Sequence, residues 1–171
     1  MTVLVSDTSV LIDLDRGSLL EPIFELPYEF AVPDVLYHRE LRGEWGERLV
    51  SLGLRVEELS QDGVANALRR RSSLPALSVP DAFAFALAQE RKWILLTGDR
   101  QLRGLAVSEG VDCHGTLWLL DRIEEEAFIE VQRLHDGLQA ISNHPRCRLP
   151  KSEISIRLHR YRSVIDASQP Y

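Results

Sequence analysis

The chain has 171 residues, 44% of them hydrophobic, and a formal net charge of −6 from 26 acidic and 20 basic side chains. That length and composition suit one globular unit around a single substantial core, and no apolar run is long enough to span a bilayer. The acidity excludes the simplest kind of nucleic-acid binder, one that works through a general excess of lysine and arginine.

Taken in chain order, TVLVSD reads as a buried strand with Asp7 at its carboxyl end, and TSVLIDLDRGSLLEPIFEL then shifts to helical spacing with a break at Gly17. YEFAV is a second strand stopped by Pro33. DVLYHRELRGEWGERLVSLG is helical material with Glu40 inside it, and LRVEEL is a third short strand followed by the polar helix QDGVANALRRR. The clearest helix is SVPDAFAFALAQERK, where Ser-x-Pro-Asp forms the entry signal and Ala82, Phe85, Ala86 and Gln89 share one side. Phe83 and Phe85 point to different faces of it; core packing is the favoured reading for both, and packing of one against a second copy of the chain is the alternative. KWILLTGD is a buried strand, DRQLRGLAVSEG a short helix ended by Gly110, VDCH an edge strand and GTLWLLDRI another helix.

Strands alternating with helices of this length predict an α/β fold with a parallel sheet covered on both faces. Residues 1–123 form this core, and 124–171 form a helical extension packed on the same domain. The extension is interrupted by the loop SNHPRCRLPKSE and ends in a basic helix, EISIRLHRYRSV. Two isolated thiols, Cys113 and Cys147, make no disulfide framework, which favours a reducing cytoplasm. Paired with His114 and His144 they match no common zinc spacing.

Four acids stand where strands end or helices begin: Asp7, Glu40, Asp81 and Asp99. Open parallel sheets bind ligands beyond their carboxyl edge, where Asp7 and Asp99 sit. Each acid also has a plain structural reading. Asp7 and Asp99 suit helix caps, a role worth about 1 kcal/mol. Asp81 completes a capping box with Ser78, and Glu40 shares a solvated face with Arg39, Glu44 and Arg48. Jointly these readings weaken, because two like charges ~4 Å apart repel by about 4 kcal/mol at an effective dielectric near 20. Converging carboxylates therefore require protonation or a cation. Mg²⁺ takes oxygen ligands and keeps waters, one of which serves as a nucleophile.

VSDTSVLIDL, the isolated acid of HREL, LSVPDAFAFALAQE and LLTGDRQL, in that order, resemble the motifs of the PIN-domain nucleases, especially the VapC-type toxins of bacterial toxin–antitoxin pairs. The resemblance implies a three-layer α/β/α fold whose acidic pocket holds Mg²⁺ or Mn²⁺ and hydrolyses RNA phosphodiesters. It further implies a homodimer and inhibition by a small antitoxin protein. Residue by residue, Asp7, Glu40, Asp81 and Asp99 match the family's catalytic and metal-binding acids, with Glu44 as a substitute for Glu40. Ser9 and Thr97 match the small hydroxyls that orient those acids. Gln101 and Leu102 depart from relatives that carry a further acid there, so a PIN-like scaffold that binds RNA or protein without cutting is the alternative.

RNA contacts are expected from Arg39, Arg42, Arg100 and Arg103, and Arg69, Arg70 and Arg71 fit either RNA or a solvated face. The late cluster Arg157, Arg160 and Arg162 with Tyr161 fits nucleic acid, an acidic partner, or a helix lying on the domain's own acidic surface. Trp45, Trp93 and Trp118 read as core or interface residues.

Overall fold

A computed structural model describes residues 1–168. Five strands, β1 (Thr2–Ser6), β2 (Tyr28–Pro33), β3 (Arg55–Glu57), β4 (Ile94–Leu96) and β5 (Cys113–His114), form one sheet in the order β3-β2-β1-β4-β5. Every pairing is parallel, and Val5 on the central strand is flanked by Ala31 on one side and Leu95 on the other. Val3, Leu4 and Val5 are all buried, as a strand covered on both faces requires. The chain builds outward from β1 to β2 and β3, then returns to the other side of β1 with β4 and β5. Strand order thus reverses between β1 and β4, and a crevice opens beyond their carboxyl ends.

The helices are α1 (Thr8–Arg16), α2 (Leu20–Phe24), α3 (Asp34–Leu36), α4 (Glu44–Leu52), α5 (Gln61–Ser73), α6 (Val79–Arg91), α7 (Arg100–Glu109), α8 (Thr116–Glu126), α9 (Val131–Asn143) and α10 (Lys151–Ser168). Helix α6 packs on β1, β2 and β4 and is covered in turn by α5. This position explains why Ala82 through Ala88 are all buried: a helix enclosed on every side is apolar all round. Phe83 and Phe85 both lie inside this one chain, so neither ring is available to a second copy. None of the described helices is long and apolar enough to cross a membrane.

The stretch expected to run as helix from Asp34 past Glu40 is broken into α3, a π-helical turn (Tyr37–Leu41) and α4. The π turn closes with the Arg42 N–H donating to the Tyr37 carbonyl at 2.9 Å, and Gly43 then turns the chain at φ +112°, a value that favours glycine.

On the opposite face α1 contacts α2, α8 and α9, and α10 lies along α9. Where α1 ends, Gly17 meets Gly137 of α9. A Cβ on Gly137 would stand 2.7 Å from both the Gly17 carbonyl oxygen and Leu19 Cδ1, so both positions need a bare backbone. Arg157 pairs with Asp121 at 2.6 Å and Arg160 with Glu124 at 2.5 Å, which latches α10 to α8. For Arg157 and Arg160 the structure therefore selects the helix lying on its own acidic surface, while Arg162 meets His135 on α9 at 3.2 Å.

Tyr161, fully buried on the same helix, has a hydroxyl with no hydrogen-bond partner among the described residues. Burying such a group without a partner costs about 1–3 kcal/mol. Tyr161→Phe is accordingly expected to raise the thermal midpoint by ~2–4 °C, the shift that about 1 kcal/mol produces at this chain length. An unchanged or lower midpoint in a calorimetric scan would show that the hydroxyl is satisfied in solution.

Candidate functional site

Asp7, Glu40, Asp81 and Asp99, with Ser9, line one cleft of about 560 Å³ at the point where strand order reverses. Each acid arrives on a different element. Asp7 ends β1 and caps α1: its Oδ1 accepts from the Val10 N–H at 2.9 Å and the Ser9 hydroxyl at 2.8 Å. Its Oδ2 accepts from the Thr97 hydroxyl at 2.5 Å and the Gly98 N–H at 3.2 Å. Thr97, fully buried just past β4, also accepts the Asp99 N–H at 3.0 Å. Asp99 caps α7 by accepting the Leu102 N–H at 2.8 Å.

In the first turn of α6, Ser78 accepts the Asp81 N–H at 3.1 Å and donates its own hydroxyl to Asp81 Oδ2 at 2.7 Å. Glu40, on the π turn, accepts the Thr8 hydroxyl. Asp99 can cap α7 with one carboxylate oxygen and face the cleft with the other, whereas Asp7 lines the cleft with both oxygens hydrogen-bonded within the protein.

The electrostatics of these acids are coupled. Burial pushes the Asp7 carboxyl above its ordinary range even though four hydrogen bonds pull the other way. Asp81 is raised too, first by burial and then by the negative charges of Asp7 and Asp99, against the Ser78 bond. Among the described residues none of the four acids is ion-paired with an arginine, lysine or histidine.

No three His, Cys, Asp or Glu side chains among the described residues are already drawn together tightly enough to cage a metal. The acids instead ring an open cleft. The donors are all oxygens, a set suited to a hard divalent ion such as Mg²⁺ or Mn²⁺ and not to zinc or copper. Asp81, Asp99 and Glu40 each keep one carboxylate oxygen without a hydrogen-bond partner among the described residues, while all four acceptor positions of Asp7 are filled.

A carboxyl whose folded pKa lies above its unfolded value of 3.8 contributes stability below that pH and loses it as the pH rises through the folded value. At neutral pH Asp81 is therefore a net cost to the metal-free fold. Asp81→Asn is expected to raise the metal-free thermal midpoint by ~2–4 °C at pH 7.5, solvent at the open mouth holding the gain near 1 kcal/mol. Mn²⁺ is expected to raise the midpoint of the wild type and not of the variant. That metal-induced rise should fade on acidification above the ordinary aspartate range, because ligation needs deprotonated carboxylates. A variant less stable than the wild type without metal, and stabilised equally by Mn²⁺, would refute this account of Asp81.

The cleft also contains residues that sequence reasoning passed over: Asp13, Arg16, Arg146, Arg148 and Leu149. Asp13 was within reach, since it follows Ser9 by four on α1 and so shares its face. Burial raises its carboxyl despite Arg16 at 3.3 Å. Arg146 and Arg148 come from the loop between α9 and α10, and only tertiary packing brings them here. Arg100 and Arg103 line an adjoining cleft of about 720 Å³ that shares Gly98, Asp99, Arg148 and Leu149 with the first. Arg39, Arg42 and Glu44 line neither cleft. Arg70 bonds Glu109 and Gln89 and lies 4.7 Å over the Phe85 ring, a structural role.

A protein-family profile described as a PIN domain matches residues 3–163. No curated protein matches the sequence. The profile runs from the first residues of β1 through the elements that carry all four acids and into α10, so it describes nearly the whole structure and not a fragment of it. The chain belongs to the PIN-domain family, and its five-stranded parallel sheet flanked by helices is the nuclease-type fold of that family.

Proposed function

We propose that the protein is an Mg²⁺- or Mn²⁺-dependent endoribonuclease that hydrolyses RNA phosphodiesters at the four-acid cleft. It serves as the toxin of a toxin–antitoxin pair, restrained by a small antitoxin protein. The observation that carries the reading is that Asp7, Glu40, Asp81 and Asp99 line one cleft and, among the described residues, none of them is ion-paired with a cationic side chain. Such a charge cluster costs stability unless a ligand offsets it.

A bound divalent ion supplies Lewis acidity toward a phosphate oxygen and acidifies water. Asp81, Asp99 and Glu40, each with one carboxylate oxygen free of hydrogen-bond partners among the described residues, would hold it. Asp7, buried and fixed by four donors, sets the local field and the position of the β4 end through Thr97. Glu40 stands at the exposed rim of the cleft, where the π turn projects it.

A second reading, a PIN-like scaffold that binds without cutting, draws on the filled acceptor positions of Asp7. The deciding experiment incubates the purified chain with an unstructured RNA in Mg²⁺, in Mn²⁺ and in EDTA. Cleavage in either metal and none in EDTA supports the nuclease, and intact RNA in both metals leaves the scaffold. The toxin assignment requires that expression arrest growth of a bacterial host in an Asp99-dependent manner.

A further inference from the structure

The geometry points to the cleft beside the acids as the seat of one nucleotide of a single-stranded RNA, its phosphate held by Arg148 and its base laid against the His114–Trp118 wall. It rests on the nuclease reading of the neighbouring acids. The two clefts adjoin, sharing Gly98, Asp99, Arg148 and Leu149 in their walls, so the second is the nearest seat for a nucleotide next to a phosphate at the acids. At about 720 Å³ that cleft falls within the range of pockets that enclose a single small ligand.

Its chemistry is the complement of the first. Arg148 has no ion-pair partner among the described residues, although it lines a cleft ringed by carboxylates. Arg100 likewise has none, and Arg103 spends one N–H on the Thr97 carbonyl at 3.1 Å. Glu153, the acid of this cleft away from the shared wall, is already matched by Arg157 at 3.1 Å. The cationic groups left over suit a phosphate, which arginine grips with a planar fork.

The wall supplies what a base needs. The His114 and Trp118 rings lie flat on one another, centroids 4.2 Å apart and planes within 8°, and Trp118 is backed by the Tyr28 ring at 5.6 Å. Burial holds the His114 imidazole below its ordinary range, which favours the neutral ring, and the Arg122 guanidinium lies 5.5 Å over the Trp118 ring. A base stacks on such a surface whatever its identity, and only an unpaired base can reach it.

The test uses the full chain carrying Asp7→Asn, which blocks turnover, and a fluorescein-labelled unstructured RNA read by anisotropy in Mg²⁺. Arg148→Gln and His114→Ala are each expected to weaken binding about tenfold, the size of one stacking or charged phosphate contact. His114→Phe, which keeps a flat ring, should restore most of the loss. Arg162→Gln, a charge removed from α10 away from both clefts, should change Kd by less than about twofold. The same sequence as a duplex should bind at least about tenfold more weakly.

The inference falls if Arg148→Gln and His114→Ala bind like the parent or no worse than Arg162→Gln, or if the duplex binds equally. Failure of the nuclease reading looks different. The otherwise wild-type chain would then leave RNA intact in Mg²⁺ and Mn²⁺, while single-strand binding still depended on Arg148 and His114.

Discussion

Asp7→Asn is expected to slow metal-dependent RNA cleavage by about 10³-fold, the upper part of what removing one preorganised electrostatic group usually costs. Two losses combine. The substitution removes a buried negative charge from the cluster, and so part of the attraction for a divalent ion. It also replaces an acceptor-only group with one whose amide nitrogen is a donor. Asp7 accepts from Val10 and Ser9 on one oxygen and from Thr97 and Gly98 on the other, so whichever way Asn is turned its NH₂ faces a backbone N–H, of Val10 or of Gly98, that can only donate.

The clash is expected to make Asn at this position less well tolerated than at position 81, where one carboxylate oxygen has no partner among the described residues and desolvation is the dominant cost. Single-turnover rates at saturating Mg²⁺, with circular dichroism to confirm folding, measure the effect. A folded Asp7→Asn that cuts at the wild-type rate would place hydrolysis somewhere other than this cleft.

Gly137→Val should lower the thermal midpoint by ~5–10 °C, from an overpacking cost near the ~3 kcal/mol end of its usual range. Even a single Cβ would meet a backbone oxygen and Leu19 at 2.7 Å, and the backbone oxygen belongs to the end of α1 and cannot swing aside. Relief requires α9 to lift away from α1. Because α9 leads directly into the loop bearing Arg146 and Arg148, the variant is expected to lose RNA affinity while Mn²⁺ still stabilises it. The acids of the cleft stand at the N-caps of α1 and α7, in the first turn of α6 and on the π turn, and the one on α1 is at the opposite end of that helix from Gly17. A Gly137→Val protein with an unaltered midpoint would mean that α9 does not sit this closely on Gly17.

The parts of the site that can be read from the sequence are those written in a few consecutive residues. Asp7 and Asp99 follow short apolar strands and precede helices, and the cap that stops each strand is the same carboxylate that faces the cleft. Ser78 and Asp81 announce the start of α6 in the same local way. The contribution of Glu40 was harder to see, because helical periodicity cannot distinguish a π turn from an α-helix and Gly43 hides the break. Arg146 and Arg148 were invisible for a different reason. Their place depends on two glycines, at 17 and 137, meeting backbone to backbone across most of the chain. Arg157 and Arg160 were ambiguous because their partners, Asp121 and Glu124, lie 36 residues earlier and carry no local mark.

Thr97 gives the cleft a mechanical property as well as an electrostatic one. Its hydroxyl donates to Asp7 and accepts from the backbone of Asp99, so a single oxygen gears the end of β1 to the start of α7. The position of Asp7 is thereby tied to the Asp99 backbone and to the first turn of α7, which carries Arg100 and Arg103. The acidic cleft and the arginines of its neighbour are joined through one buried hydroxyl, so neither can be rearranged without the other.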